Sequence, residues 1–236
     1  MRTNPMTRKK IEPTRASSPP VRGPRAATFG RLLETAMKII QQDGHVPSVA
    51  ETAARAGVSR ATAYRCFSSR SALLTAVIDA SLGNVRSYAS NLPDARARVR
   101  ALFQETFPRF KEYEPQMRAA AQLALEQWAQ ERAGLLEETP YRRGHRVHIL
   151  EHALAPLKQV LSAAEHGRLH RALSLVYGIE PYIIFKDIWG ASDREVERIA
   201  LWMADALLQT ALREAGIPSA PRVTAKRPRV KTLPRQ

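Results

Sequence analysis

Three serines, Ser48, Ser59 and Ser69, each stand immediately before a short apolar-periodic stretch, and Gly57 separates the first two stretches. A serine oxygen at such a point accepts from a backbone N–H two or three residues on and so starts a helix. Ser48 also precedes Glu51 by three residues, the arrangement of a capping box. A glycine between two short helices permits a positive φ, so the chain can turn sharply and lay one helix across the next. The spacing therefore predicts a second helix from Ser48 to Ala56, a third beginning at Arg60 and a fourth at Arg70. Ahead of them Phe29, Leu32, Leu33, Ala36 and Ile40 line one face of a first helix, which Asp43-Gly44 ends. Few arrangements accommodate so tight a series, and a helix-turn-helix is the foremost.

In that arrangement the first turn of the second of the paired helices meets base edges in the DNA major groove. Here that turn is Arg60, Ala61 and Thr62, capped by Ser59. Ala63, Tyr64 and Arg65 continue it, Phe67 returns to the core, and Leu73, Leu74, Val77 and Ile78 of the next helix point inward. Arginines recur at 55, 60, 65 and 70, while Glu51 is the only acid between Ser48 and Arg70, a balance suited to a polyanion. The plainer alternatives are an ordinary helical hairpin for the unit, packing for Tyr64 and mere solvation for Arg55 and Arg65. Charge and spacing together favour DNA.

The series AARAGVS, then T-x-Y-R-x-F, then S-R-x-x-L-L, within about Leu32 to Ile78, resembles the N-terminal DNA-binding domain of the TetR family of transcriptional regulators. The resemblance implies a three-helix DNA-binding domain, a fourth helix joining it to a larger helical domain, homodimerisation, and release from the operator when a small molecule binds the larger domain. Carried onto this sequence, it would set Ser59, Arg60 and Thr62 at the groove; Ser48, Arg65 and Ser69 join them, with Tyr64 and Arg70, in the expected DNA-contact set. Tyr64 would reach a phosphate through its hydroxyl, and Arg70 would stand where the family usually has a phosphate-binding lysine. Departures from the family pattern are Thr52 for isoleucine, Ala61 for glycine, Ala63 for leucine and Cys66 for histidine. Thr52 and Ala63 suggest a thinner core beneath the recognition helix.

Charge divides the chain. Of the formal net charge of +15 the first 27 residues carry +6 and residues 218 to 236 another +6, which leaves +3 between them. Both ends are proline-rich, so residues 1–26 and 217–236 read as disordered basic arms, whose charge serves either solubility or nonspecific attraction to phosphates. The single cysteine, Cys66, excludes an internal disulfide and a cysteine-based zinc site. No apolar run is long enough to span a membrane and the N-terminus lacks the apolar core of a signal peptide, so the expected compartment is the cytoplasm.

The expected fold is all-α: a DNA-binding domain at 27–83 followed by a helical effector-binding and dimerisation domain at 84–216. Helices are expected near 94–112, 115–133, 140–161, 163–189 and 193–215, with a bend at Pro181. Leu169, Leu173, Val176 and a stripe from Val196 to Thr210 suit the dimer interface that the family implies. Candidates for an effector pocket are Phe107, Phe110, Trp128, His148, Tyr177 and Glu180, with Tyr141, Tyr182, Phe185 and Trp189 as further aromatics; packing in the core is the alternative for each aromatic, and Glu180 and Lys186 flank the expected bend. His145, His148 and His152 share a helical face and His166 and His170 stand four apart, but neighbouring arginines argue against a metal. No phosphate-binding loop, G-x-S-x-G or H-E-x-x-H is present, so no enzyme and no cofactor is expected. The reading is a sequence-specific regulator of double-stranded operator DNA, a repressor released by a small-molecule effector. The alternative is a sequence-tolerant architectural DNA-binding protein without a ligand.

Overall fold

A computed structural model describes residues 23–142 and 144–217, and the basic ends assigned as arms lie almost wholly outside them. Ten α-helices and no strand occur among the described residues. The helix-turn-helix unit comprises α1 (Pro24–Asp43), α2 (Val49–Arg55), α3 (Arg60–Cys66) and the start of α4 (Arg70–Leu82). A 3-10 turn at Gly83–Ser87 leads to α5 (Ala95–Glu112), α6 (Glu114–Ala133), α7 (His145–Leu154), α8 (Ala163–Val176), α9 (Ile179–Trp189) and α10 (Asp193–Glu214). Because α1 starts at Pro24, Arg25 belongs to its first turn rather than to an arm.

Local signals set the first four helices. The Ser48, Ser59 and Ser69 hydroxyls accept from the backbone N–H groups of Glu51, Thr62 and Ala72. The Glu51 carboxylate is drawn instead to Arg55 and His45. Gly57 has φ +62° and open space around the position of a Cβ, so the backbone angle alone demands glycine. The Val58 N–H closes on the Ala53 carbonyl at 2.9 Å, the turn that ends a helix through a left-handed residue. A Gly57→Ala chain should fold with stability lower by about 1–2 kcal/mol, measurable by urea unfolding.

One continuous apolar core runs from Phe29 to Ala211. Phe29 of α1 stacks on Phe67 at 4.6 Å between ring centres. Thr52 and Ala63 are fully buried beneath α3, and the Thr52 hydroxyl donates to the Ser48 carbonyl at 2.9 Å. The narrow core read from those two small residues is thus closed without an unpaired hydroxyl. Arg55 reaches Asp43 at 2.7 Å, pinning α2 to the end of α1. Gln116 of α6 donates to the Met37 carbonyl of α1 at 3.2 Å, so the unit is seated on α6.

Two helical expectations change. The span 140–161 is helical only from His145, and residues 155–159 tighten into a 3-10 turn. The span 163–189 is two helices, broken at Tyr177-Gly178, where Gly178 has φ +147°. Pro181 lies in the first turn of α9, a place where its missing N–H costs nothing, so it does not bend a continuous helix.

Candidate nucleic-acid interface and effector cavity

Helix α3 presents Arg60, Ala61, Tyr64 and Arg65 to solvent while Ala63 and Cys66 face the core. Ser59 and Ser48 are exposed at the helix starts and Thr62 is half-buried. Tyr64 keeps 49% of its surface exposed, so the packed alternative for it does not hold. The hydroxyls are tied together: Ser59 donates to Thr62 Oγ1 at 2.9 Å and Arg65 donates to the same oxygen at 2.8 Å. These bonds fix three side chains on one face before any ligand arrives. Cys66 is buried and points away from that face.

Arg70 lies differently from the rest. Its Nε donates to the Val46 carbonyl at 2.9 Å, and its Nη1 to both oxygens of Glu126 at 3.0 and 3.2 Å. It joins α4, the turn before α2, and α6. In this conformation its guanidinium is engaged within the protein. Ser69 is half-buried and serves as the cap of α4.

Of the sequence-derived pocket residues, Phe110, Tyr141 and Tyr177 line a cavity of about 60 Å³, with Ile78 and Leu82 of α4 forming one wall. Met117, Ala120, Ile149 and Ile179 complete its apolar lining, and His145, Arg146 and Gly178 form the polar end. Phe107 is buried behind it, stacked with Phe110 and Tyr182. Trp128, 60% exposed, and His148, also exposed, do not line it. Glu180 is one step removed, accepting from Arg146 at 2.8 and 2.9 Å. Lys186 pairs with Glu114 and Asp193 instead. Sequence reasoning missed Arg146, whose Nη1 also donates to the Ser174 carbonyl near the end of α8.

The Arg146–Glu180 pair lies flat against Gly178. A Cβ there would sit 2.7 Å from Glu180 Oε2 and 2.8 Å from Arg146 Nη2. A Gly178→Ala chain must both shift that pair and hold a strained φ. It should lose about 1–3 kcal/mol of stability, read from its urea midpoint against the unaltered chain.

The Tyr177 hydroxyl shares a hydrogen bond with Thr106 at 3.0 Å, and burial pushes its pKa well above the usual phenol value. It stays neutral throughout the physiological range. Burial also pulls the His145 imidazole below its ordinary 6.5, with Asp79 at 3.2 Å opposing and Arg86 and His148 adding to the effect. His170 is lowered likewise by burial, against the pull of Glu151. A histidine whose folded pKa is depressed holds fewer protons folded than unfolded. Stability is therefore full above about pH 6.5 and lost as pH falls through that value toward the folded pKa. Urea midpoints measured from pH 7 to 5, above the carboxylate range, should decline, and a His145→Gln/His170→Gln chain should decline less.

No cluster of three or more metal-ligating side chains occurs among the described residues. His166 contacts the Leu154 carbonyl at 3.3 Å and His170 lies 3.4 Å from Glu151. No described helix is long and apolar enough to cross a membrane.

A compact helix-turn-helix with a basic outward face is thus seated on a larger helical unit that holds an apolar cavity. The family model for bacterial regulatory proteins of the tetR family matches residues 32–77. The fold is similar to that of a TetR-family transcriptional regulator from Streptomyces coelicolor, with TM-score 0.57 and 17% identity over 80% of this chain and 85% of that one. It is also similar to a TetR-family regulator from Mesorhizobium loti MAFF303099, with TM-score 0.52 and 16% identity over 80% of this chain and 98% of that one. No curated protein matches at a significant level. Residues 32–77 thus match the DNA-binding segment of the tetR family, and the fold as a whole is TetR-like.

Proposed function

We propose that the protein is a dimeric repressor that leaves its operator when a small, largely apolar, uncharged molecule fills the cavity. The observation that carries this is the double membership of α4. Its N-terminus follows the recognition helix directly, while its Ile78 and Leu82 wall the cavity. Whatever fills the cavity presses on the helix that carries the DNA-reading unit. Charge around the cavity is already matched, Arg146 by Glu180 and Asp79 by Arg86. An unpaired ion would lose its hydration there without compensation, so a neutral ligand fits best.

Dimerisation is supported by an open apolar groove between α8 and α10, lined by Ala172, Leu175, Val176, Met203, Ala206 and Leu207 with Trp202 at its edge. Leu175 is 72% and Trp202 59% exposed, unusual for such side chains away from an interface. The sequence-derived stripe divides here. Leu169, Leu173, Val196 and Ala200 are buried within the chain, whereas Met203, Ala206 and Leu207 border the groove.

In this reading Arg60 and Thr62 meet base edges, and Tyr64 meets a phosphate, a contact that positions rather than specifies the complex. Tyr64→Phe should weaken binding about 2- to 13-fold for each half-site engaged, the worth of one hydrogen bond per chain, and do so equally on every duplex tested. Release is tested by fluorescence anisotropy on a duplex selected from a random pool with the full chain, titrated with neutral apolar compounds. A compound that raises the thermal midpoint of the free protein should also dissociate the complex. If compounds that raise it leave the complex intact, the cavity has no part in release.

A further inference from the structure

We infer that Gln127 and Glu138 are positioning residues that tie the wall of the cavity to the N-terminus of α4, and through it to the helix-turn-helix. The inference rests on the reading of the cavity as an effector site and names the route by which that site acts. Gln127 of α6 is almost fully buried and makes three bonds. Its amide nitrogen donates to Ser71 Oγ and to Glu138 Oε1, each at 2.8 Å, and its oxygen accepts from the Tyr141 backbone N–H at 2.7 Å. Glu138 in turn accepts from the Ser71 hydroxyl at 3.3 Å and from the Ser71 N–H at 3.4 Å. That N–H is one of the donors a helix start leaves without an intrahelical partner. A carboxylate 67 positions away in sequence serves it.

The two ends of this network meet different things. Tyr141 is buried and lines the cavity. Ser71 is the neighbour of Arg70, which grips Val46 and Glu126. Residues 126 and 127 of α6 thus hold residues 70 and 71 of α4, one pair reaching Val46 ahead of α2 and the other reaching the backbone of the cavity residue Tyr141. Glu138 and Tyr141 share the non-helical segment between α6 and α7, so a ligand that displaces the Tyr141 ring draws on the segment that carries Glu138. A buried polar network is stable when fully satisfied and costly when half-satisfied. It therefore holds or releases as a unit, which makes it a two-state link rather than a graded one.

The test is a double-mutant cycle that needs no identified effector. Ala120 lines the cavity one face-repeat before Gln127 on α6, and Ala120→Val places added volume in the cavity. The link is broken by Gln127→Met, which conserves volume, and separately by Glu138→Gln at a half-buried position outside the core. Binding to the selected duplex is measured for each chain, with thermal melts to show that each is folded. In the otherwise unaltered chain Ala120→Val should weaken binding by roughly 5- to 150-fold, the usual range of coupling between sites. In either broken background the same substitution should change binding less than about twofold, no more than the scatter seen between independent sites. A purely structural role for Gln127 would lower the melt without removing this coupling. Equal weakening in intact and broken backgrounds overturns the route through Gln127 and Glu138 while leaving the cavity as the effector site. No effect of Ala120→Val in the intact chain overturns both.

Discussion

Replacing Trp202 by arginine is expected to give a folded monomer that binds its operator at least about 100-fold more weakly than the unaltered chain. Trp202 borders the groove between α8 and α10 and is mostly exposed in the single chain, so the substitution leaves the core untouched. In a dimer the same position would bury a guanidinium against Leu175, Met203 and Leu207 with no partner, which costs several kcal/mol. A monomer can engage one half-site only. Losing the second, tethered engagement removes about 10²- to 10⁴-fold in affinity with no change in the contacts of either recognition helix. Light scattering should give the mass of one chain, and anisotropy on the selected duplex should give the loss. A dimer of unchanged affinity would place the interface elsewhere.

The second large effect concerns reading rather than assembly. Arg60 is exposed at the first turn of α3, next to the hydrogen-bonded set of Ser59, Thr62 and Arg65. A side chain that recognises one base pair contributes about 1–3 kcal/mol of discrimination, and two recognition helices double it. Arg60→Ala should narrow the ratio of operator to random-duplex affinity by roughly 30-fold or more across the dimer. Affinity for random duplex should fall far less, through the loss of one phosphate-attracted charge per chain. A parallel fall on both duplexes would mean that Arg60 meets phosphate and that the bases are read by another residue.

The helix-turn-helix was legible because its signals are local. Each of Ser48, Ser59 and Ser69 caps a helix with its own hydroxyl, and Gly57 turns the chain through an angle that its neighbours in sequence already demand. The larger unit was less legible because its decisive contacts are long-range. The break at Gly178 depends on Arg146, 32 positions earlier, closing on Ser174 and Glu180, and no periodicity records that. A proline drew attention to 181 although the chain had already broken three residues before. Apolar spacing on α10 identified a stripe, yet only packing shows that Val196 and Ala200 turn inward while Met203 and Leu207 do not. Aromatic residues suggested a pocket, and Phe110 and Tyr177 do line one, but Trp128 stands in solvent. Arg70 shows the same limit. Its position in the motif is unambiguous, whereas its partners Val46 and Glu126 are visible only in three dimensions.

Two copies of the α3 face are proposed to read two related half-sites. Selection of duplexes from a random pool with the full chain, followed by hydroxyl-radical footprinting of the winner at physiological salt, tests it most directly. The winner should be an inverted repeat whose protected centres lie about 34–36 Å apart, or a multiple of that distance. Binding should outlast competition from bulk DNA as salt rises. A pool that never enriches, or a single asymmetric footprint lost to bulk DNA at the same salt, would contradict it.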